Sequence, residues 1–377
     1  MLYMPIVVLF YEENGLSMKH VFLLQAIYSI AIVVLEIPSG YLADVLGRKK
    51  TLVIGTLLGF SGFVVYSFSF GFWGFLLAEM ILGMGQSLIS GADSAMLYDT
   101  LEDMDRSDDY IKFEGRMVSI GNFAEAIAGI LGGLLATISL RLPYMAQAGV
   151  ALIGVPAALL LSEPARYKQL MKAKFRDILQ IVKYALHDNR ELKWNIIFSS
   201  VIGASTLTMA WFVQPYFELL ALPVGLFGVL WTILNLTVGI SAIYAHRVEN
   251  MLGQRKTMLF IAIAIPLGYI VVSRISSYAG LAILFLFYIV RGFATPVLKD
   301  YINRLSESNI RATVLSVRNF VIRIFFSLIG PFLGWYTDHY SLGSAILLAG
   351  IIFFILSFLS VGIYFLRRKG HNAEIQP

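Results

Sequence analysis

The sequence predicts an all-α, polytopic membrane protein built from two bundles of six helices that are related by pseudo-two-fold symmetry. Three observations support this fold class: the composition, the number of long apolar segments, and a repeat between the two halves. Hydrophobic residues make up 58% of the 377-residue chain and charged residues only 14%, and the mean hydropathy is +0.75. Because ordinary soluble domains have a far more polar balance, we expect lipid to surround this chain.

The apolar segments are long enough to cross a bilayer, which takes about 20 mainly apolar residues for about 30 Å of hydrocarbon. The segments are 20–43, 52–70, 72–98, 115–138, 143–161, 194–217, 224–245, 257–273, 278–298, 312–336 and 342–366. Another apolar segment, Met1 to Tyr11, has about half the required length. We interpret it as the outer half of a truncated first helix, with the chain beginning inside that span; an interfacial segment is the alternative.

The distribution of basic residues predicts the orientation of the chain. Lysine and arginine are retained in cytoplasmic loops, and here they cluster in alternate loops. Of the 29 lysines and arginines, only Lys19, Arg141 and Arg274 lie in the opposite set of loops. We therefore expect a multi-pass protein of the bacterial cytoplasmic membrane with both termini in the cytoplasm.

The predicted domain organisation follows from the longest loop. An N-terminal six-helix bundle covers residues 1–163, a C-terminal six-helix bundle covers 194–366, and a cytoplasmic tail covers 367–377. The connection between the bundles, residues 164–193, has apolar residues at helical spacing and basic residues elsewhere. It is therefore predicted to form an amphipathic helix along the inner membrane surface. The apolar residues are Phe175, Ile178, Leu179, Val182 and Leu186.

An internal repeat relates the two halves. The stretch Leu46 to Thr51 has the sequence LGRKKT, and Leu252 to Thr257 has the sequence LGQRKT. Asp99 and Asp300 fall at matching positions further along. Carriers that work by alternating access are built from such repeats and bind their substrate near the midplane between them.

The loop after segment 20–43 resembles the signature of the major facilitator superfamily. Residues Gly40 to Lys50 have the sequence GYLADVLGRKK, which is similar to the family pattern G-x-L-a-D-r-x-G-r-[RK]-[RK]. The sequence departs from the pattern at Val45, and Asn250 replaces the aspartate in the second half. The resemblance spans essentially the whole chain and implies the twelve-helix major facilitator fold.

The same resemblance implies a conformational latch that closes the cytoplasmic side. Its residues in this chain are Gly40, Asp44, Gly47, Arg48, Lys49 and Lys50. A carboxylate at Asp44 suits the positive end of a neighbouring helix. The alternative is that the three basic residues only fix the topology.

Ionisable residues inside the spans are costly, so each is a functional hypothesis. Acids fall in the N-terminal half, at Glu36, Glu79, Asp93 and Glu125, and bases fall in the C-terminal half, at Arg291, Arg318 and Arg323. We predict a central cavity whose polar wall includes Asn122, Glu125, Arg291, Asn319 and Arg323. Glu125, Glu36 and Asp93 are the candidate proton carriers. The alternative is that acids and arginines pair as structural or gating locks.

Two details bear on the direction of transport. The resemblance to proton antiporters predicts an arginine in segment 72–98, but this chain has Glu79 there, so that coupling role does not transfer. Segment 115–138 is rich in glycine, with Gly121, Gly129, Gly132 and Gly133. This resembles the drug–proton antiporters and favours efflux, although the family's Gly-Pro pair is absent and close helix packing is an alternative explanation.

The sequence therefore predicts a proton-coupled carrier, a monomer, that exports a small hydrophobic or amphipathic molecule. The alternative within transport is uptake or exchange of an anionic metabolite, neutralised by Arg291, Arg318 and Arg323. A membrane sensor of similar fold is the alternative from another class. An enzyme is not expected, since the sequence has no P-loop and no metal-ligand cluster. No cofactor and no nucleic-acid partner are predicted.

Overall fold

The computed structural model describes residues 1–106, 109–164, 180–306 and 310–374, and no strand occurs in these ranges. The chain divides into two compact units. Unit 1 consists of Met1–Lys172 and Leu222–Thr232, and unit 2 consists of Ala173–Ala221 and Ile233–Pro377. The predicted linker residues Phe175, Ile178 and Leu179 lie outside the described residues.

Unit 1 is formed by six helices after a single 3-10 turn at Met4–Ile6. They are α1 (Val7–Glu13), α2 (Met18–Leu46), α3 (Arg48–Phe68), α4 (Gly71–Asp103), α5 (Tyr110–Ala136) and α6 (Leu142–Leu160). Only Gly47 separates α2 from α3, and its φ of 103° is a conformation that side chains rarely allow. A glycine there lets the chain reverse within one residue.

Unit 2 contains α7 (Arg190–Leu219), most of α8 (Val224–Val272), α9 (Ala279–Arg304), α10 (Arg311–His339) and α11 (Leu342–Glu374). The predicted spans 224–245 and 257–273 both fall within α8. They are separated by a break at Gly253, whose φ is 73°. A short π-helical turn, Tyr184–Asp188, precedes α7.

The helices agree with the predicted spans. Nine helices of the described chain are long and apolar enough to cross a membrane, and the apolar part of α5 described here, Ile120–Ala136, is shorter. The segment Met1 to Tyr11 forms the 3-10 turn and most of α1. Residues from Ile6 to Tyr11 are buried, so this short segment packs inside unit 1.

The cores of the two units differ in character. Unit 1 has an aromatic core, in which the rings of Phe10 and Tyr144 lie 4.2 Å apart and those of Tyr66 and Tyr144 lie 5.0 Å apart. In unit 2, α7 is the central helix, since 78% of the apolar stretch that could cross the membrane is buried. It packs mainly against α10 and α11.

Glycines bring α5 and the first turns of α8 into backbone contact within unit 1. A Cβ atom on Gly228 would lie 2.2 Å from the carbonyl oxygen of Gly129 and 3.0 Å from the Cα of Gly133. Beside this contact, the hydroxyl of Thr232 donates a hydrogen bond to the carbonyl of Ala126 at 3.2 Å. Small residues are what allow two helices to approach so closely.

We predict that Gly228→Ala lowers the melting temperature of the purified protein in detergent. The added methyl group has no room, and overpacking of this kind costs roughly 1–3 kcal/mol. Gly239→Ala is the matched control on the same helix, because a Cβ atom there meets nothing within 4 Å. Equal melting temperatures for the two variants would show that the close contact is not a feature of the folded protein.

Candidate functional site

Unit 1 buries an acid, Glu79, deep in its aromatic core. The side chain lies on α4, which begins at Gly71, so it is about 12 Å from the start of the helix. The residue is only 6% exposed. Its Oε1 atom accepts hydrogen bonds from the hydroxyl of Tyr11 at 2.9 Å and from the side-chain amide of Gln25 at 2.6 Å.

A second tyrosine extends this network. The hydroxyl oxygens of Tyr11 and Tyr66 lie 2.5 Å apart. Either hydroxyl can donate to the other, and Tyr66 is also a hydrogen-bond partner of the Glu79 carboxyl group. The rings of Tyr11 and Tyr66 lie 5.3 and 5.5 Å from that of Phe75. The carboxyl group is therefore connected to a chain of hydroxyls inside apolar walls.

No cation among the described residues contacts the Glu79 carboxyl group. One basic side chain at this end of unit 1, Arg141, is bonded to other groups. Its guanidinium donates to the backbone carbonyls of Ser67 and Ser69, both at 2.9 Å, and to the side-chain oxygen of Asn14 at 2.8 Å. All described hydrogen-bond partners of Glu79 are neutral.

At the opposite end of unit 1, the acids have charged or N–H partners. Asp99 is buried and accepts from the Arg48 guanidinium at 3.3 Å. Glu163, just after α6, accepts from the backbone N–H groups of Arg48 and Lys49 at 2.7 and 2.9 Å. Carboxylates favour the N-terminal end of a helix, where N–H groups are unpaired. Glu163 thereby fixes the start of α3 against the end of α6.

Unit 2 buries a cation, Arg318, on α10. The residue is 5% exposed. Its Nε atom donates to the hydroxyl of Ser199 at 2.5 Å and its Nη1 atom to the side-chain oxygen of Asn319 at 3.2 Å. Both partners are neutral, so in the described part of the chain no acid compensates this charge.

The other predicted cavity residues are more accessible. Asn122 and Asn319 are exposed, whereas Asp93, Glu125, Arg291 and Arg323 are half-buried. Glu125 contacts the amino group of Met1, and the Arg291 guanidinium lies 5.2 Å from the ring centre of Tyr288. The structure brings Arg318 and Asn319 into contact.

The predicted latch is described only in part. Gly47 joins α2 to α3, Arg48 and Lys49 are the first two residues of α3, and Lys50 is exposed on the same helix. The side chains of Glu36 and Asp44 lie outside the described part of α2, as does the environment of Gly40. The contacts of Arg48 with Asp99 and of its N–H group with Glu163 were not predicted from the sequence.

Sequence reasoning also missed the Glu79 network as a functional group. Glu79 was noticed as an intramembrane acid, but its partners come from α1, α2 and α3, and nothing in their spacing connects them. The available signal was the polar Gln25 within an apolar span.

No group of three metal-ligating side chains that could hold an ion occurs among the described residues.

The apolar helices and the intramembrane charges define a polytopic membrane protein of the carrier type. A family model, the Major Facilitator Superfamily, matches residues 1–325. The chain belongs to this superfamily and has its twelve-helix fold.

Relatives and solved structures agree with this assignment. The class H tetracycline resistance protein of Pasteurella multocida is 21% identical over 375 residues, which cover 96% of this chain and 90% of that protein. The quinolone resistance protein NorA of Staphylococcus aureus is 24% identical over 166 residues, 44% of this chain and 42% of its own length.

Among solved structures, the nucleoside transporter NupG has a TM-score of 0.78 at 16% identity, covering 96% of this chain and 93% of NupG. A POT family transporter in complex with 5-aminolevulinic acid has a TM-score of 0.72 at 13% identity, covering 95% and 91%. At these identities the likeness shows the fold alone. It is the family match that identifies the chain as a major facilitator transporter.

We predict that Glu163→Gln destabilises unit 1 by roughly 0.5–2 kcal/mol, the usual value of a helix N-cap. The two N–H groups of α3 bond to different oxygens of the carboxylate, so in the amide one of them would face the NH₂ group instead of an acceptor. The measurement is thermal unfolding in detergent, with Glu13→Gln as the control because Glu13 is an exposed acid of the same unit. A Glu163→Gln protein as stable as this control would contradict the proposed capping.

Proposed function

We propose that this protein is a secondary active transporter that works by alternating access and couples proton entry to the export of a small hydrophobic or amphipathic compound. The observation on which this proposal depends is the buried Glu79 carboxyl group, which has only neutral hydrogen-bond partners among the described residues. We assign the coupling proton to Glu79.

The physical argument concerns the cost of charge in an apolar interior. An ionised carboxylate away from water is very unfavourable unless a cation or several donors compensate it. The two neutral donors of Tyr11 and Gln25 offset part of this cost. Glu79 can therefore hold a proton while its surroundings are closed, and a conformational change that admits water allows the proton to leave. A bound proton thus becomes linked to one conformational state.

The hydroxyl chain offers a route for this proton. The hydroxyl of Tyr66 contacts that of Tyr11, which donates to Glu79. A proton that reaches the Tyr66 oxygen from water is relayed when Tyr66 gives its own hydrogen to Tyr11 and Tyr11 gives its own to Glu79, so both hydroxyls stay neutral and the carboxyl group gains the proton. Gln25 is not part of the chain and instead holds the carboxyl group in place. Tyr3 and Tyr144 line the same core and lie near enough to Glu79 to interact with it electrostatically.

The direction of transport is supported by the relatives. The tetracycline and quinolone resistance proteins bear names that describe resistance to drugs, and export is the simplest way for a carrier to give resistance. The glycines Gly129 and Gly133 of α5 support the same direction. The nucleoside transporter and the POT family transporter of similar fold keep the substrate class open.

A second candidate function is uptake or exchange of an anionic metabolite, which is favoured by the buried Arg318. In either case we propose that Glu36, Asp93, Asn122, Glu125, Arg291, Asn319 and Arg323 contribute to the polar path. The latch at Gly40 to Lys50 and the monomeric state remain proposals, as does the bacterial cytoplasmic membrane with both termini inside. A non-transporting sensor would move no substrate under any gradient.

We predict that Glu79→Gln abolishes gradient-driven transport but preserves substrate exchange. Glutamine is neutral at every pH and has the shape of the protonated acid, so the carrier can still change conformation but cannot release a proton. The measurement uses inside-out vesicles and a panel of dyes and metabolites, with the pH gradient imposed or collapsed. Accumulation should fall to the level seen without a gradient.

The control is Glu218→Gln, which neutralises an exposed acid at the end of α7 and should transport like the unmodified protein. Gradient-dependent accumulation that persists in Glu79→Gln would contradict the assignment of the proton. If only Glu125→Gln lost gradient-dependent accumulation, the coupling acid would be Glu125, one of the three candidates predicted from the sequence.

A further inference from the structure

We propose that unit 2 contains a binding site for an anionic group, a carboxylate or a phosphate, formed by Arg318 and Lys299 with Ser199 and Asn319 beside them. The transported molecule would then carry a negative charge in addition to its apolar part. The site is argued from unit 2 alone. Only its link to transport depends on the proposed function.

The first step is the unpaired charge of Arg318. A guanidinium has five N–H donors, and the described hydrogen bonds to Ser199 and Asn319 use two of them. Both acceptors are neutral oxygens. A buried cation without an anion is strongly destabilising, and its remaining donors suit the two oxygens of a carboxylate or phosphate.

The second step is the position of Lys299 on α9. The end of α9 and the start of α10 share one buried apolar cluster through Ile302 and Val314. Lys299 lies about one turn before Ile302, within electrostatic reach of Arg318. The neighbouring acid, Asp300, is engaged with Arg304 at 2.6 Å, and Glu249 accepts from the hydroxyl of Tyr301 at 3.0 Å. Two adjacent cations that share no described acid are stabilised by a ligand that supplies the anion.

The third step is the depth of the site in the unit. Arg318 lies about 10 Å from the start of α10, Lys299 about 8 Å from the end of α9, and Ser199 about 14 Å from the start of α7. These helix ends are on the same side of the unit. Lys299 is exposed whereas Arg318 is buried, so an anion entering from this side meets the lysine first and the arginine below it.

Binding can be measured without transport, on purified protein in a neutral detergent at constant ionic strength. The probes are benzoate and inorganic phosphate, with benzamide as the neutral counterpart of benzoate. We expect the melting temperature to rise with the logarithm of the benzoate or phosphate concentration, and to be unaffected by benzamide. Equal stabilisation by benzamide and benzoate would overturn the proposal, since the site would then not recognise charge.

The variants test which residues form the site. Arg318→Gln should abolish the effect of the anions, and Lys299→Gln should raise the apparent Kd by about tenfold. Lys299 is exposed, so that variant remains informative even if Arg318→Gln does not fold. The control is Lys256→Gln, which removes an exposed cation elsewhere in unit 2. If Lys299→Gln binds the anions as tightly as Lys256→Gln does, the site is not where we place it.

The source of the anion is distinguished in lipid nanodiscs. If the anionic group belongs to the cargo, benzoate should stabilise the protein equally in phosphatidylcholine and in phosphatidylglycerol. If a lipid headgroup occupies the site, phosphatidylglycerol should stabilise the protein by itself and remove the response to benzoate. Both results support an anion site. Glu79→Gln should keep the benzoate response, so a failed proton assignment and a failed anion site are separable.

Discussion

The cost of keeping a charged group away from water is the constraint on which this structure depends. Buried Arg48 and Asp99 meet it by pairing with each other. Three other buried charged residues are bonded only to neutral groups in the described chain: Glu79 in unit 1, and Arg318 and Glu249 in unit 2. Among these, Glu79 and Arg318 are where we propose that an external proton or anion stabilises the protein.

Much of the fold was predictable, because the lengths of the apolar segments and the positions of the basic residues can be read directly from the sequence. The predicted spans agree with the helices, and the loop motif at Gly40 to Lys50 indicated the family to which the chain belongs. The continuity of α8 through Gly253 was not predictable, since a single glycine can end a helix or bend it. The packing of Met1 to Tyr11 inside unit 1 was also beyond the sequence, which shows its short length but not its neighbours.

The candidate site was much less predictable than the fold. Depth along a helix can be counted from the sequence, and it drew attention to Arg318 and Glu79 as charges within predicted spans. Whether such a charge is compensated depends on groups far apart in the chain, such as Gln25 with Glu79 or Ser199 with Arg318. Helical spacing shows which residues share a face of one helix, but it does not show which faces of two helices pack against each other. From the sequence, Glu125, Glu36 and Asp93 were therefore the candidate proton carriers, whereas we propose Glu79 on the basis of its contacts.

The most direct test of the central claim is infrared difference spectroscopy of the purified protein in detergent at neutral pH, comparing it with Glu79→Gln. If Glu79 holds a proton in its closed surroundings, the unmodified protein should show the C=O band of a protonated carboxyl group, and the variant should lack that band. Replacement of H₂O by D₂O should shift the band. If the variant instead loses intensity from the ionised carboxylate band, Glu79 is charged in the folded protein and does not hold the coupling proton.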